Sequence, residues 1–211
     1  IGSSYGDAND LEVYREISEE VPLIILNGFV DVPTVYSVRC DERSAICNLV
    51  EELYKRNCRH IYYLEDNTTF CAMEKRNGFL EGINKFNLKA TSKCMTIPIY
   101  SNEILDAQQK IERLIKNGRR IDAVLSADDL LAVGALQALN AAGLQIPVVG
   151  FNNSDFAFAC TPRLTTVDNQ REFVCTNAIN TLLSLLDGKD AAHHIIVSPK
   201  LIERDTFRLQ S

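Results

Sequence analysis

The sequence predicts an α/β protein built on parallel, doubly wound sheets. Three observations carry that prediction. Short apolar runs of strand length alternate with amphipathic helical segments along almost the whole chain. The runs are rich in Ile, Val and Leu on consecutive positions, as strands covered on both faces are. Nearly every run gives way to polar residues and then to a helical pattern, the order of a βαβ unit.

The elements follow in sequence. Leu11 to Glu20 reads as a helix and Val21 to Leu26 as a buried strand; Val35 to Arg39 is a second strand. Asp41 is placed to cap a helix whose Ile46, Leu49, Val50 and Leu53 recur at helical spacing, and Asn57 can close it in the left-handed region. Ile61 to Leu64 is a strand. A helix is expected from about Thr69 to Phe86, with Phe79, Ile83 and Phe86 on one face. Cys94 to Ile99 is a strand, and Ser101 precedes a helix carrying Ile104, Ala107, Ile111, Leu114 and Ile115 that stops at Asn117-Gly118. Ile121 to Leu125 is a strand, Asp129 to Ala142 an Ala- and Leu-rich helix stopped by Gly143, and Ile146 to Val149 the next strand. The helix from Arg171 to Leu186 is expected to bury Ile179, Leu182, Leu183 and Leu186 and to end at Gly188. Strands near Ile195 to Val197 and Leu201 to Ile202 finish the pattern.

Ligands of open parallel sheets bind beyond the carboxyl ends of the strands. The residues there are Ser3, Ser4, Asn27, Gly28, Glu65, Asp66, Tyr100, Ser101, Asp128, Asn152 and Asn153. Such a rim of hydrogen-bonding groups suits a polar, neutral ligand.

Composition excludes several classes. With 22 Lys and Arg against 28 Asp and Glu, the net charge is −6 and the basic residues are scattered, so no nucleic-acid footprint is present in this stretch. No apolar run reaches membrane-spanning length. The seven cysteines are odd in number and none stands at C-x-x-C spacing, which argues against a disulfide framework, a zinc site or a redox motif, and fits a reducing compartment. Neither a Gly-rich dinucleotide loop nor a Walker sequence occurs, and no cofactor is expected.

Gly2-Ser3-Ser4-Tyr5-Gly6 fits the G-x-S-x-G pattern of a hydrolase nucleophile elbow, with Asp168 and His193 or His194 in triad order. An elbow needs a helix at once after the Ser, whereas Asp7 to Asp10 read as loop. The non-catalytic reading is therefore preferred, and no catalytic residue is assigned. His193 and His194, adjacent on an extended segment, are expected to point to opposite sides, poor geometry for one metal ion. Asp128 and Asp129 precede a helix, where Asp caps free N–H groups.

From Ile121 onward the chain resembles the lactose-repressor (LacI/GalR) family of transcriptional regulators. Asp122 to Leu136 (D-A-V-L-S-A-D-D-L-L-A-V-G-A-L) is similar to that family's strand, turn and A-x-G-A-L helix. Ile146 to Asn153 resembles its I-x-V-V-G-[FY]-D-D, and Thr161 to Val167 its P-x-L-T-T-V strand. Earlier, Lys75 to Phe79 resembles R-x-x-G-[FW], and Val38 to Asp41 the crossover strand before the next helix. The resemblance covers the whole chain in matching order.

It implies a two-lobed, periplasmic-binding-protein-like (type I) fold without the DNA-binding headpiece and with the N-terminal lobe incomplete. Residues 1–39 plus 169–196 would form the first lobe, and residues 40–168 plus 197–211 the second. It implies a cytoplasmic, homodimeric repressor core that is not an enzyme and binds a small effector, a sugar, in the interlobe cleft. Operator DNA would be bound only through the headpiece. By resemblance the ligand contacts are Asn27, Lys75, Asp128, Asn152 and Arg171. Lys75 stands where the family usually has Arg, Asp128 where it has Asn, and Asn152 where it has Asp. The alternative is a periplasmic or secreted sugar-binding protein of a transport system, which shares the lobes and cleft.

Overall fold

The computed structural model describes residues 11–65, 69–88, 95–98 and 104–208. The G-x-S-x-G segment with Ser3 and Ser4, and the rim residues Asp66, Tyr100 and Ser101, lie outside them. The chain forms two compact units, Ile1–Asp41 with Thr68–Met73 and Gln170–Pro199, and Glu42–Asn67 with Glu74–Asn169 and Lys200–Ser211.

The smaller unit holds α1 (Leu11–Glu20), β1 (Leu23–Leu26), β2 (Val35–Cys40), α7 (Arg171–Leu186) and β8 (His194–Val197). Its strands form a parallel sheet in the order β1-β2-β8. Alternate residues face opposite sides. Leu23, Ile25 and Val35 pack with Tyr14 of α1, while Ile24 and Val38 pack with Val174 and Ala178 of α7.

Here the structure corrects the expected face of α7. Val174, Ala178 and Thr181 are buried, whereas Ile179, Leu183 and Leu186 are more than half exposed and only Leu182 reaches the core. The helix is apolar on more than one face, so periodicity could not choose between them. The face with small residues at helical spacing approaches the sheet.

The larger unit comprises α2 (Glu42–Lys55), β3 (Ile61–Glu65), α3 (Phe70–Lys85), β4 (Met95–Pro98), α4 (Ile104–Lys116), β5 (Ala123–Ser126), α5 (Asp129–Ala141), β6 (Val148–Phe151), α6 (Asp155–Ala159), β7 (Thr165–Asp168) and β9 (Lys200–Ile202), although the first turn of α3 groups with the smaller unit. Its six-stranded sheet has the order β4-β3-β5-β6-β7-β9, parallel except for β9, which pairs antiparallel with β7. The sheet is covered on both faces. Ile61 and Tyr63 point toward α2 and α3 and meet Ile46, Val50, Leu53, Phe79 and Ile83. Tyr62 and Leu64 point the other way and meet Ala107, Ile111, Leu131 and Leu139 of α4 and α5. The helical spacings read in α2 and α3 are the buried faces observed.

Helix ends are where the sequence placed them: Asn57, Gly118, Gly143 and Gly188 all have positive φ. Three strands begin later than expected, β1 at Leu23, β5 at Ala123 and β6 at Val148. Asp122 is drawn out of the ladder because its carboxylate accepts the Arg59 and His60 backbone N–H groups. Pro147 has no N–H to give the ladder. Among the described residues no helix is long and apolar enough to cross a membrane.

Candidate functional site

The carboxyl edge of the six-stranded sheet gathers a polar network within the larger unit. β5 ends at Ser126 and the chain turns into α5 through Asp128, whose backbone is extended. Asp128 Oδ1 accepts the Leu130 N–H at 2.6 Å, an N-cap bond. Its Oδ2 accepts from Asn152 Nδ2 at 2.9 Å. Asn152 follows β6 with φ 97°, and Asn153 has φ 49°, both in the left-handed region that Asn tolerates. Asn169 Nδ2 donates to Asn152 Oδ1 at 3.1 Å. A chain of donors therefore runs from Asn169 through Asn152 to the Asp128 carboxylate, which also accepts from the start of α5.

A second network braces the first. Asp129 is fully buried, and its carboxylate accepts from Thr166 Oγ1 and from both the N–H and Oγ of Ser154. Burial pushes its carboxyl up, and neighbouring Asp128 adds to that rise; the Thr166 and Ser154 bonds oppose it without cancelling it. Gly150 makes this possible, because a Cβ there would overlap Asp129 Oδ1. Asn153 donates to Asp168 Oδ2 at 3.0 Å and accepts from Arg204 Nη2 at 2.7 Å.

Lys75 on α3 is buried at 6% exposure. Its Nζ donates to the Ala127 carbonyl at 2.9 Å and lies 4.2 Å from the centroid of the Phe151 ring. Those two neighbours precede Asp128 and Asn152 directly, so Lys75, Asp128 and Asn152 come together at one strand edge. Asn27 and Arg171 belong to the smaller unit. Asn27 follows β1 with φ 52°, its N–H donating to the Val38 carbonyl and its own carbonyl accepting from Cys71 Sγ. Arg171 is exposed at the first position of α7.

Sequence reasoning missed Asn169, Ser154 and Thr166. The last two lay in or beside recognised motifs, but only the fold shows that they converge on Asp129. It also misjudged the histidine pair. His193 Nδ1 and His194 Nε2 are 3.1 Å apart, with His194 Nδ1 on Ser37 Oγ. The peptide between them is not part of the regular strand, which begins at His194, so strict alternation does not apply. Among the described residues no group of three or more His, Cys, Asp or Glu could hold a metal ion.

Residues 50–207 match the family described as Periplasmic binding protein-like domain. The chain belongs to that family. The relatives of this periplasmic binding protein-like domain are regulators of the lactose-repressor type. It is 32% identical over 212 residues to an HTH-type transcriptional regulator of Lachnoclostridium phytofermentans, covering 98% of this chain and 63% of that protein. It superposes with a TM-score of 0.82 on a LacI transcriptional regulator from a Rhodococcus species, at 22% identity, covering 97% of this chain and 75% of that one. The TM-score is also 0.82 against a sugar-binding transcriptional regulator (LacI family) of Escherichia coli complexed with phosphate, at 23% identity, with 95% and 74% covered. The domain thus spans less than two thirds of the length of the regulator relatives it matches. Its relatives are transcriptional regulators rather than enzymes.

Proposed function

We propose that this chain is the effector-sensing core of a cytoplasmic LacI-type regulator, whose two units correspond to the family's two lobes. It binds a small polar molecule, a sugar, and thereby controls operator binding by a headpiece outside this chain in a homodimer. The observation that carries the reading is the polar edge of the larger unit. Lys75, Asp128 and Asn152, matched residue by residue to the family's ligand contacts, converge at the carboxyl ends of parallel strands, where such sheets take ligands. Asn27 and Arg171, in the smaller unit, are proposed as effector contacts on the family resemblance alone. The sugar-binding Escherichia coli relative supports the ligand class.

A thermal-shift screen over neutral and acidic sugars, with nucleobases as controls, tests the reading. A ligand at a hundred times its Kd stabilises the folded state by about 2.7 kcal/mol, a clear rise in Tm. Stabilisation by a sugar that also changes operator affinity of the full-length protein is the expected result. Stabilisation by nucleobases alone overturns the sugar assignment.

A further inference from the structure

We propose that the effector is an anionic sugar whose carboxylate or phosphate pairs with the Lys75 ammonium, an inference that rests on the sugar-sensing reading above. Burying an ammonium is costly unless a counter-charge and further hydrogen bonds compensate it. The partners of Lys75 are the Ala127 carbonyl and the face of Phe151. One of the three N–H donors of the ammonium is used by a neutral acceptor, and no carboxylate among the described residues pairs with it.

The other charged groups of this edge, Asp129, Arg204 and Asp128, each make two or more hydrogen bonds within the protein. Asp129 receives three donors, from Thr166 and Ser154. Arg204 donates to the Leu164 carbonyl and to Asn153, which in turn donates to Asp168. Asp128, which directly follows the Ala127 that Lys75 meets, is committed: one oxygen takes the Leu130 N–H at the positive end of α5 and the other takes the Asn152 amide. Lys75 is the exception. Its ammonium sits against the residues that precede Asp128 and Asn152, so the uncompensated charge lies at the proposed ligand edge. This reverses the expectation of a neutral ligand drawn from the polar rim alone. Sugar hydroxyls can accept a hydrogen bond from Lys75, but only an anion neutralises it.

The test is calorimetry on the full-length protein with wild type, Lys75→Met and Lys75→Arg. D-Galacturonate and D-glucuronate form the carboxylate arm and D-glucose 6-phosphate the phosphate arm. D-Galactose, D-glucose and inorganic phosphate are the comparators. The expected result is that one anionic sugar binds at least tenfold more tightly than its neutral counterpart. The preference should vanish in Lys75→Met and persist in Lys75→Arg. Ligand-free Lys75→Met should melt no lower than wild type, because it removes a buried charge that lacks a counter-ion. The wild-type panel stands by itself if that variant fails to fold. A neutral sugar that binds as tightly as its acid, unaffected by Lys75→Met, overturns the anionic assignment and leaves the sugar reading intact. Inorganic phosphate binding as tightly as glucose 6-phosphate also overturns it, leaving a bare ion site. Binding of no sugar, neutral or acidic, overturns the sugar reading itself.

Discussion

Asp128 holds two partners that no single neutral side chain could hold in the same way. An Asn at this position keeps the N-cap, since Asn and Asp cap about equally well. Its amide nitrogen would then face the Asn152 amide, donor against donor. Asp128→Asn is therefore expected to destabilise the protein by about 1 kcal/mol, and adding Asn152→Asp should recover most of that by restoring a donor–acceptor pair. Denaturant melts of the two single variants and the double variant measure the coupling; additive losses would mean that the pair is not energetically linked. Asp122 makes a second prediction, about pH. Burial alone would push its carboxyl up, but hydrogen bonds from the Arg59 N–H, the Arg120 guanidinium, and the His60 ring and N–H outweigh burial, holding it at about 2 against an ordinary 3.8. A folded-state pKa below the unfolded one adds stability that is complete above pH 3.8 and is lost as pH falls toward 2. That shift corresponds to about 2 kcal/mol. Melts from pH 6 down to pH 2 should show wild type losing this increment relative to Asp122→Asn; parallel curves would remove Asp122 from the acid sensitivity.

Among elements, α4 and α5 show how closely two helices can pack. A Cβ at Gly134 would collide with the Ile104 carbonyl and stand 2.9 Å from Ala107 Cβ. Ala normally improves a helix interior by about 1 kcal/mol over Gly. Gly134→Ala should nevertheless lower stability, by 1–3 kcal/mol, because backbone must move to admit the methyl; a rise in Tm would show that the helices separate freely. The same comparison explains what the sequence could and could not reveal. α2 was legible because Ile46, Leu49, Val50 and Leu53 are its apolar stripe and nothing competes with it. α7 was legible as a helix but not in orientation, since its apolar residues surround it and only the sheet of the smaller unit selects Val174 and Ala178. Lys75, Asp128 and Asn152 could be picked out through the family resemblance. The Asn152–Asp128 bond, the Asn169 amide that braces it, and the lack of a carboxylate at Lys75 depend on distances between residues far apart in sequence.

At the scale of the whole chain, the alternation of apolar runs and helices was enough to predict two-sided parallel sheets, because strands buried on both faces cannot be built from polar residues. The edge strand β9 was expected near Leu201 to Ile202, but its antiparallel pairing with β7 left no such mark, since its three residues, Lys200 to Ile202, carry no periodicity. Net charge also acts at this scale. With six excess negative charges spread over the chain, this core alone should bind duplex DNA no better than an unrelated acidic protein. A salt-dependent, sub-micromolar complex in an anisotropy titration with operator-like DNA would place a DNA-contacting surface on the core itself.

That edge strand has a consequence for biosynthesis. β7 is finished at Asp168, but its partner β9 begins only at Lys200, after α7 and β8 have been made for the other unit. Thr165 meanwhile waits for the Arg204 and Phe207 backbone N–H groups to reach its hydroxyl, and its own N–H for the Thr206 hydroxyl. A ribosome must therefore extrude the smaller unit's last helix and strand before the larger sheet can close. Until then the nascent chain carries an open strand edge, the kind of surface that invites pairing with a neighbouring copy on the same message.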